Sequence, residues 1–407
     1  MKVTKKLLLL SLLNIAVMTG LWILKPSGTI QELSKVLHGE MWADSAPFMQ
    51  EAWRVERLGQ PVYQTVFFQE HLKFQYPMSS LLLGYVTLAF GVSFQTLLIW
   101  LTIPSALLTL WLAGDLFVRV LPMEPAERLL ARLLVMSLGL FFYPLANGLQ
   151  ITQIQTVLTF LFTLAVWLWL TERKVTAGIC LALACAVKPP LGLFLLWGLL
   201  RREWRFVSAF LATLVVVQGL SVGLFGWSNN IAYLGPLSYM GHHGECIGEN
   251  QSVNGWLQRL LRNGEGSTSM FAPYNRIVYL GTVLSSLLLV AVGLVVPVWR
   301  RWRDPVGDFL FFGLLSTIAS PIVWTHHYGV FYIGTIYLLA VFLRDEQTIP
   351  VALGVCFVVL ANLFHLLGRF YWIPSVNWVF SYGLYAGMGI ILIFLRKYER
   401  YGLGKLK

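Results

Sequence analysis

The stretch VTAGICLALACAVKPPLGLFLLWGLL, residues 175–200, decides the fold. Two apolar runs flank Lys188-Pro189-Pro190, and the outer flanks are basic: Arg173 and Lys174 before, Arg201, Arg202 and Arg205 after. Neither run reaches the roughly 20 residues that a bilayer crossing needs. Proline lacks an N–H and fixes φ, so a helix does not continue comfortably through the pair. The stretch predicts a membrane hairpin. Both legs start from the basic side, and the apex carries Lys188 at or below the opposite interface.

The rest of the chain has the same character. Hydrophobic residues fill 57% of 407 positions and charged residues only 12%, which places the chain among many-spanning membrane proteins rather than soluble domains. Apolar runs at 7–24, 96–118, 129–146, 154–170, 175–187, 191–200, 206–225, 277–298, 306–320, 328–342, 350–367 and 378–395 predict an all-α protein of about twelve transmembrane helices. The first run follows Lys2, Lys5 and Lys6 like a signal peptide but lacks a small-residue cleavage site, so it is expected to stay as the first span. The run 78–90 is short. Counting it as a crossing would put Arg119, Arg128 and Arg132 on the wrong side, so it is expected to lie at the outer interface. No repeat or soluble domain is evident in what reads as a single polytopic unit, 1–407.

The net charge of +11 follows the topology. Of 30 Lys and Arg, 20 fall in loops on one side, from Lys2 through Arg300, Arg301, Arg303 and Arg344 to the tail beginning at Arg396. That bias predicts cytoplasmic N- and C-termini in a multi-pass plasma or inner membrane. The lipid bilayer with its anionic heads is the partner the charge implies, and no nucleic acid is needed. Cys180, Cys185 and Cys356 fall in apolar runs and Cys246 in an outer loop, which gives no disulfide framework.

Two long polar segments interrupt the pattern, 25–79 and 227–275. Loops of that size are functional or disordered, and these are rich in Trp, Tyr, Pro and His, which disorder does not favour. The first carries Asp44 among Glu32, Glu40, Glu51, Glu56 and Glu70. Asp44 reads either as a solvated loop acid or as a general base beside the membrane surface. Lys188 reads as an anion site for a lipid phosphate or as a snorkelling side chain. Asp115, four residues before Arg119, reads as a local ion pair. His242, His243, Glu245, Cys246 and Glu249 offer metal-ligating atoms without a usual zinc spacing. Asn250-Gln251-Ser252 is suited to hydrogen-bonding a sugar. Trp324-Thr325-His326-His327 is either an interfacial anchor or part of a polar site.

Four segments in order resemble polytopic glycosyltransferases of the family 87 type, which share the GT-C fold. They are Asp44 with the following stretch 50–63, leading to Phe74-Gln75-Tyr76-Pro77; Thr152-Gln153-Ile154-Gln155; the Gly-containing run ending in Lys188-Pro189; and Asn250-Gln251-Ser252 with Ser320-Pro321 to His326-His327. Met78, Thr152 and Gln155 depart from the family's pattern. The resemblance implies a hexosyltransferase, most often a mannosyltransferase, that uses a polyprenyl-phosphate sugar donor and works on the outer face. The acceptor would be a lipid-linked or cell-envelope glycan or glycolipid. Asp44 would be the base of an inverting displacement, with His326 beside it in the catalytic group. Lys188 and His327 would bind the donor phosphate. Tyr76, Gln153, Asn250, Gln251, Ser252 and Trp324 would bind substrate. Neither cofactor nor metal is expected, because no Asp-x-Asp pair occurs. The competing readings are a glycan ligase or polymerase using a lipid diphosphate, which would draw on Arg54, Arg57, Arg259, Arg262, Arg276 or Arg369, and a lipid or sugar transporter.

Overall fold

The computed structural model describes residues 2–24, 28–264 and 270–403. Residues 25–27 and 265–269 of the two long segments, and 404–407 of the basic tail, lie outside the described residues. Among the described residues nineteen α-helices follow one another. The first four are α1 (Lys2–Leu24), α2 (Thr29–Leu37), α3 (Ala46–Arg57) and α4 (Leu83–Phe90). Next come α5 (Phe94–Val120), α6 (Pro125–Leu140), α7 (Tyr143–Gln150), α8 (Gln155–Leu170), α9 (Lys174–Val187), α10 (Leu193–Leu200) and α11 (Trp204–Ala232). The rest are α12 (Leu234–His243), α13 (Val253–Leu260), α14 (Arg276–Trp299), α15 (Pro305–Ile318), α16 (Gly329–Arg344), α17 (Val351–Asn362), α18 (Phe364–Tyr371) and α19 (Tyr382–Leu403). Among the described residues there is no strand, only two isolated bridges, Glu245–Phe271 and Asn250–Trp324.

The chain is an all-α membrane protein. Every expected apolar run is helical, but fewer helices than twelve are long enough to cross. Among the described residues five have the length and apolarity of a span, or seven if two bent pairs each count once. The others are apolar helices of 10–17 residues, α8, α9 and α15 among them. The bent pairs correct two expected single helices. The run 129–146 breaks by 64° between α6 and α7, where Pro144 opens the second helix, and 350–367 breaks by 70° between α17 and α18. At the second break no proline is present. Instead Asn362 Nδ2 donates to Asn14 Oδ1 on α1 at 2.9 Å, and Asn14 Nδ2 donates to the carbonyl of Phe141 at 3.2 Å. One amide pair thus links α1 to both breaks, and polar pairs of this kind hold helices together in an apolar medium.

The 175–200 hairpin is present. Its legs return to one level, because Lys174 at the foot of α9 pairs with Glu203 just past α10 (3.0 Å). Trp169 at the end of α8 also meets Trp197 of α10, ring centroids 5.2 Å apart. At 1.5 Å per residue the 14-residue α9 rises about 21 Å, short of a hydrocarbon core of about 30 Å. Lys188 at the turn therefore sits below the far interface of a bilayer aligned with the hairpin's base.

The core centres on α16, in which every residue from Gly329 to Leu343 is buried. The basic end of the bundle is tied by ion pairs. Asp115 holds Arg119 and Arg132 (2.6 Å to the latter) and accepts from Trp167 Nε1 at 2.9 Å. Arg201 pairs with Asp308 at 2.9 Å, and Lys397 with Asp345 at 2.8 Å.

At the opposite end the first long segment builds a small core of its own. Met49, Trp53, Tyr63, Val66, Phe74, Met78 and Leu81 pack with Leu98 of α5 and Phe225 of α11. Residues 78–90 form a short helical element here, a 3-10 turn running into α4. Gly84 lets it lie flush against Trp53, since a Cβ there would stand 2.5 Å from two ring carbons. Helix α11 kinks at Gly226 (φ 78°), one residue past the expected end at 225, and carries on into the second long segment. Phe67, Met240 and Ile322, with Phe271 and Trp324, join the two segments.

Candidate functional site

A cavity of about 130 Å³ lies where the long segments meet the bundle. Its walls are Gln75, Tyr76, Gln153, Gln155, Lys188, Tyr233, Trp324, His326 and His327, with Leu158, Pro190, Leu237 and Ile322 supplying apolar surface. A second crevice, continuous with it through Gln155, Leu158, Lys188, Pro190 and Ser320, runs between α8, α15 and the hairpin turn towards Phe162 and Val330.

Asp44 is placed by backbone pairing. Trp42 N donates to Gln150 O and Asp44 N to Ile151 O, both at 3.0 Å, so this short stretch hooks onto the end of α7. The chain then reverses through Thr152, whose φ of 48° is left-handed and costs a branched residue energy. That turn aims Gln153 at both sides of the site. Its Nε2 donates to Asp44 Oδ2 at 2.5 Å, and its Oε1 accepts from the Tyr76 hydroxyl at 3.2 Å. Tyr76 is fixed in turn by Tyr63, whose hydroxyl donates to the Tyr76 carbonyl at 2.8 Å. Burial pushes the Asp44 carboxyl above the usual range. Lys73 and then the Gln153 bond pull it back, and Glu245 and Glu249 push it up.

Lys188 Nζ donates to Gln155 Oε1 at 2.9 Å and has no carboxylate in salt-bridge range among the described residues. Trp324 N donates to His327 Nδ1 at 3.0 Å, so a neutral His327 ring carries its proton on Nε2. The His326 ring lies against Trp324 and His327 (centroids 5.7 and 4.7 Å), and its nitrogens have no hydrogen-bond partner among the described residues. The site thus holds one carboxylate reached through Gln153, and a wall of one ammonium and two imidazoles over apolar surface. Such a layout suits a base on one side and a departing anion on the other.

Asn250, Gln251 and Ser252 do not join this wall. All three are fully buried and bonded to backbone. Asn250 Oδ1 accepts from Val323 N at 3.1 Å, Gln251 Nε2 donates to Phe380 O at 2.9 Å, and Ser252 Oγ donates to Pro321 O at 2.7 Å. They fix the course of 321–323, and so the position of Trp324. The histidines of the second segment are likewise engaged. His242 stacks on Tyr279 at 4.8 Å, and His243 stacks on Tyr239 at 4.3 Å with Nδ1 against Ala272 O at 2.9 Å. Among the described residues no three metal-ligating side chains gather.

Two residues not singled out as site candidates by the sequence matter here. Lys73 is buried and pairs with Glu245, and its ammonium sits 4.1 Å from the Trp324 ring centroid. Gln155 holds Lys188. Their nearness in sequence to Tyr76 and Gln153 was the available signal.

Similarity to known proteins points the same way. Residues 74–321 match the model of Glycosyltransferase family 87, a range that contains Tyr76, Gln153 and Lys188 but not Asp44 or His326. One relative is a polyprenol-phosphate-mannose-dependent alpha-(1-2)-phosphatidylinositol pentamannoside mannosyltransferase of Mycolicibacterium smegmatis. It is 27% identical over 198 residues, 47% of this chain and 44% of that protein. A polyprenol-phosphate-mannose-dependent alpha-(1-2)-phosphatidylinositol mannoside mannosyltransferase of Mycobacterium tuberculosis is 28% identical over 210 residues, 49% of this chain and 44% of that protein. The match therefore spans less than half the length of either relative. The family model, by contrast, covers more than half of the chain, and the protein belongs to glycosyltransferase family 87.

Proposed function

We propose that this protein transfers one hexose, mannose by the names of its relatives, from a polyprenyl-phosphate donor to a glycolipid or envelope-glycan acceptor. The observation that carries the reading is one cavity lined by Lys188, His326 and His327 and by Gln153, whose amide bonds Asp44 behind it. The donor's head enters this cavity. Its tail leaves towards the crevice between α8, α15 and the hairpin turn, past Leu158, Pro190 and Leu191.

Asp44 takes the proton of the acceptor hydroxyl while that oxygen attacks the anomeric carbon. The bond from that carbon to the phosphate oxygen breaks with inversion, and polyprenyl phosphate leaves with the electron pair. The phosphate gains negative charge as it departs. Lys188 and the His327 Nε2–H meet that charge, with His326 beside them. Tyr76 and Trp324 border the sugar. Mannose is neutral and a monophosphate carries little charge, so the reaction needs no metal. The single polytopic unit, 1–407, carries the site between its segments 25–79 and 227–275. The positive-inside bias puts the basic, ion-paired end and both termini in the cytoplasm and the site on the outer face.

The rival readings find less support. Arg259 is buried and spends its donors on Ser381 Oγ and on the carbonyls of Ile247 and Asn250. Arg54 is held by Glu51 at 3.0 Å. Neither is offered to a diphosphate. A transporter must open towards the basic end, where ion pairs link α5 to α6, α10 to α15 and α19 to the α16–α17 turn.

The test is transfer from radiolabelled polyprenyl-phosphate mannose, in detergent, to lipid extract as acceptor, for wild type and Asp44→Asn. Wild-type transfer that drops about 10²- to 10⁴-fold in the folded variant supports the reading. Transfer that survives in Asp44→Asn removes the base. A wild type inert with mannose, glucose and galactose donors removes the reaction.

A further inference from the structure

The first long segment sends a second charge towards the site. Lys73 and Glu245 are both buried, 6% and 0% exposed, and pair directly. Such a pair seldom repays its desolvation, so it is weak evidence for stability and invites a search for another role. Glu245 is anchored from the far side, accepting through Oε2 from Trp324 Nε1 at 2.6 Å. Trp324 also covers the ammonium with its ring face. Three segments distant in sequence thus converge on one cation, and all three border the cavity.

That cation lies over Trp324, which lines the cavity together with Tyr76 and Gln153, and Gln153 bonds Asp44. Asp44 feels the cation more strongly than any other charge, and His326 and Lys188 feel it as well. The other groups around Asp44 are Gln153 and Tyr76 on its hydrogen-bonded side and Glu245 and Glu249 from the second segment. Lys188, His326 and His327 line the cavity that Gln153 and Tyr76 share. Lys73 is the one cation among these whose charge favours ionised Asp44.

We propose that Lys73 is a positioning residue for Asp44, with the Glu245 ion pair and the Trp324 ring holding its ammonium where its charge reaches the carboxylate without a direct bond to it. A base needs two things that conflict in a buried site. It must be ionised, which calls for a nearby cation. It must also keep a lone pair free for the acceptor hydroxyl, which a direct salt bridge would take. Glu245 resolves the conflict by occupying Lys73. This inference rests on the assignment of Asp44 as base made above.

The experiment measures transfer rate against pH for wild type, Lys73→Met, Glu245→Gln, the double variant and Lys73→Arg, with a melting temperature for each. Removing the cation should move the acid limb to higher pH. The ratio of rate at pH 8 to rate at pH 6 should rise up to about tenfold, the change for an acid limb that moves up by one pH unit. The double variant, which also removes the opposing charge of Glu245, should shift the limb the same way but less, without leaving a buried carboxylate unpaired. Lys73→Arg should restore the limb. Glu245→Gln should shift it the other way, to lower pH, and lower the plateau, because the freed Lys73 turns to Asp44.

Opposite shifts distinguish this role from a structural one, which would lower the melting temperature and the rate at every pH. Limbs that stay in place, or shift the same way in Lys73→Met and Glu245→Gln, overturn the proposal. A wild type that transfers no sugar, or Asp44→Asn with undiminished rate, overturns the base assignment and this inference with it.

Discussion

Replacing Lys188 by Met should lower activity and leave the protein at least as stable. In the resting structure the ammonium has one hydrogen bond among the described residues, to Gln155 Oε1 at 2.9 Å, and no counter-ion there. An ion held this way costs several kcal/mol of desolvation, and one hydrogen bond to a charged group returns about 1.5–3 kcal/mol. Met fills nearly the same space without the charge, so the melting temperature should hold or rise. During reaction the balance reverses. The departing phosphate accepts a charge-assisted bond that Met cannot supply, and losing about 1.5–3 kcal/mol from the transition state lowers the rate about 10- to 160-fold. The loss should appear mainly in kcat, since the phosphate's charge grows as the bond breaks. Initial rates at varied donor concentration in mixed micelles, with melting followed by tryptophan fluorescence, read both quantities. A variant within threefold of wild type, or one that loses rate and stability together, refutes the assignment.

Other expectations follow from the same contacts. Burial raises the Asp44 pKa, so that group favours the fold below its unfolded pKa near 3.8 and ceases to as pH rises through the folded value. Asp44→Asn should therefore match or exceed wild-type stability at neutral pH, with the difference fading in acid, as thermal melts across pH 4–8 would show. Gly84→Ala drives a methyl into the Trp53 ring and should cost about 1–3 kcal/mol while sparing the KM for donor, as unfolding and steady-state kinetics would report. EDTA treatment followed by gel filtration should leave transfer unchanged. Activity that vanishes and returns with a divalent ion would contradict the mechanism.

The sequence makes some of this legible and hides the rest for physical reasons. Apolar runs, basic flanks and the Pro189-Pro190 pair show the hairpin and Lys188 at its turn, because each is a local property. The α6–α7 break has a local sign in Pro144. The α17–α18 break has none, since its polar anchor, the Asn362–Asn14 amide pair, comes from the far end of the chain. Asn250-Gln251-Ser252 shows the limit most clearly. A run of amide and hydroxyl side chains reads the same whether it meets a sugar or the carbonyls of 321–323, and only the partner segment decides. Lys73 follows Glu70 and His71 and looks solvated until Glu245 and Trp324 close over it.

The short rise of α9 has a consequence for how the chemistry meets water. A turn about 21 Å above its base leaves the Lys188 ammonium under the surface of a hydrocarbon layer aligned with that base rather than at its edge. On the proposed function, the donor need not be lifted out of the membrane to react. The acceptor hydroxyl must come down to it, past Tyr76 and Trp324. Bulk water is kept from the activated sugar by the same depth, so unproductive hydrolysis of the donor is held down by geometry, without a moving lid.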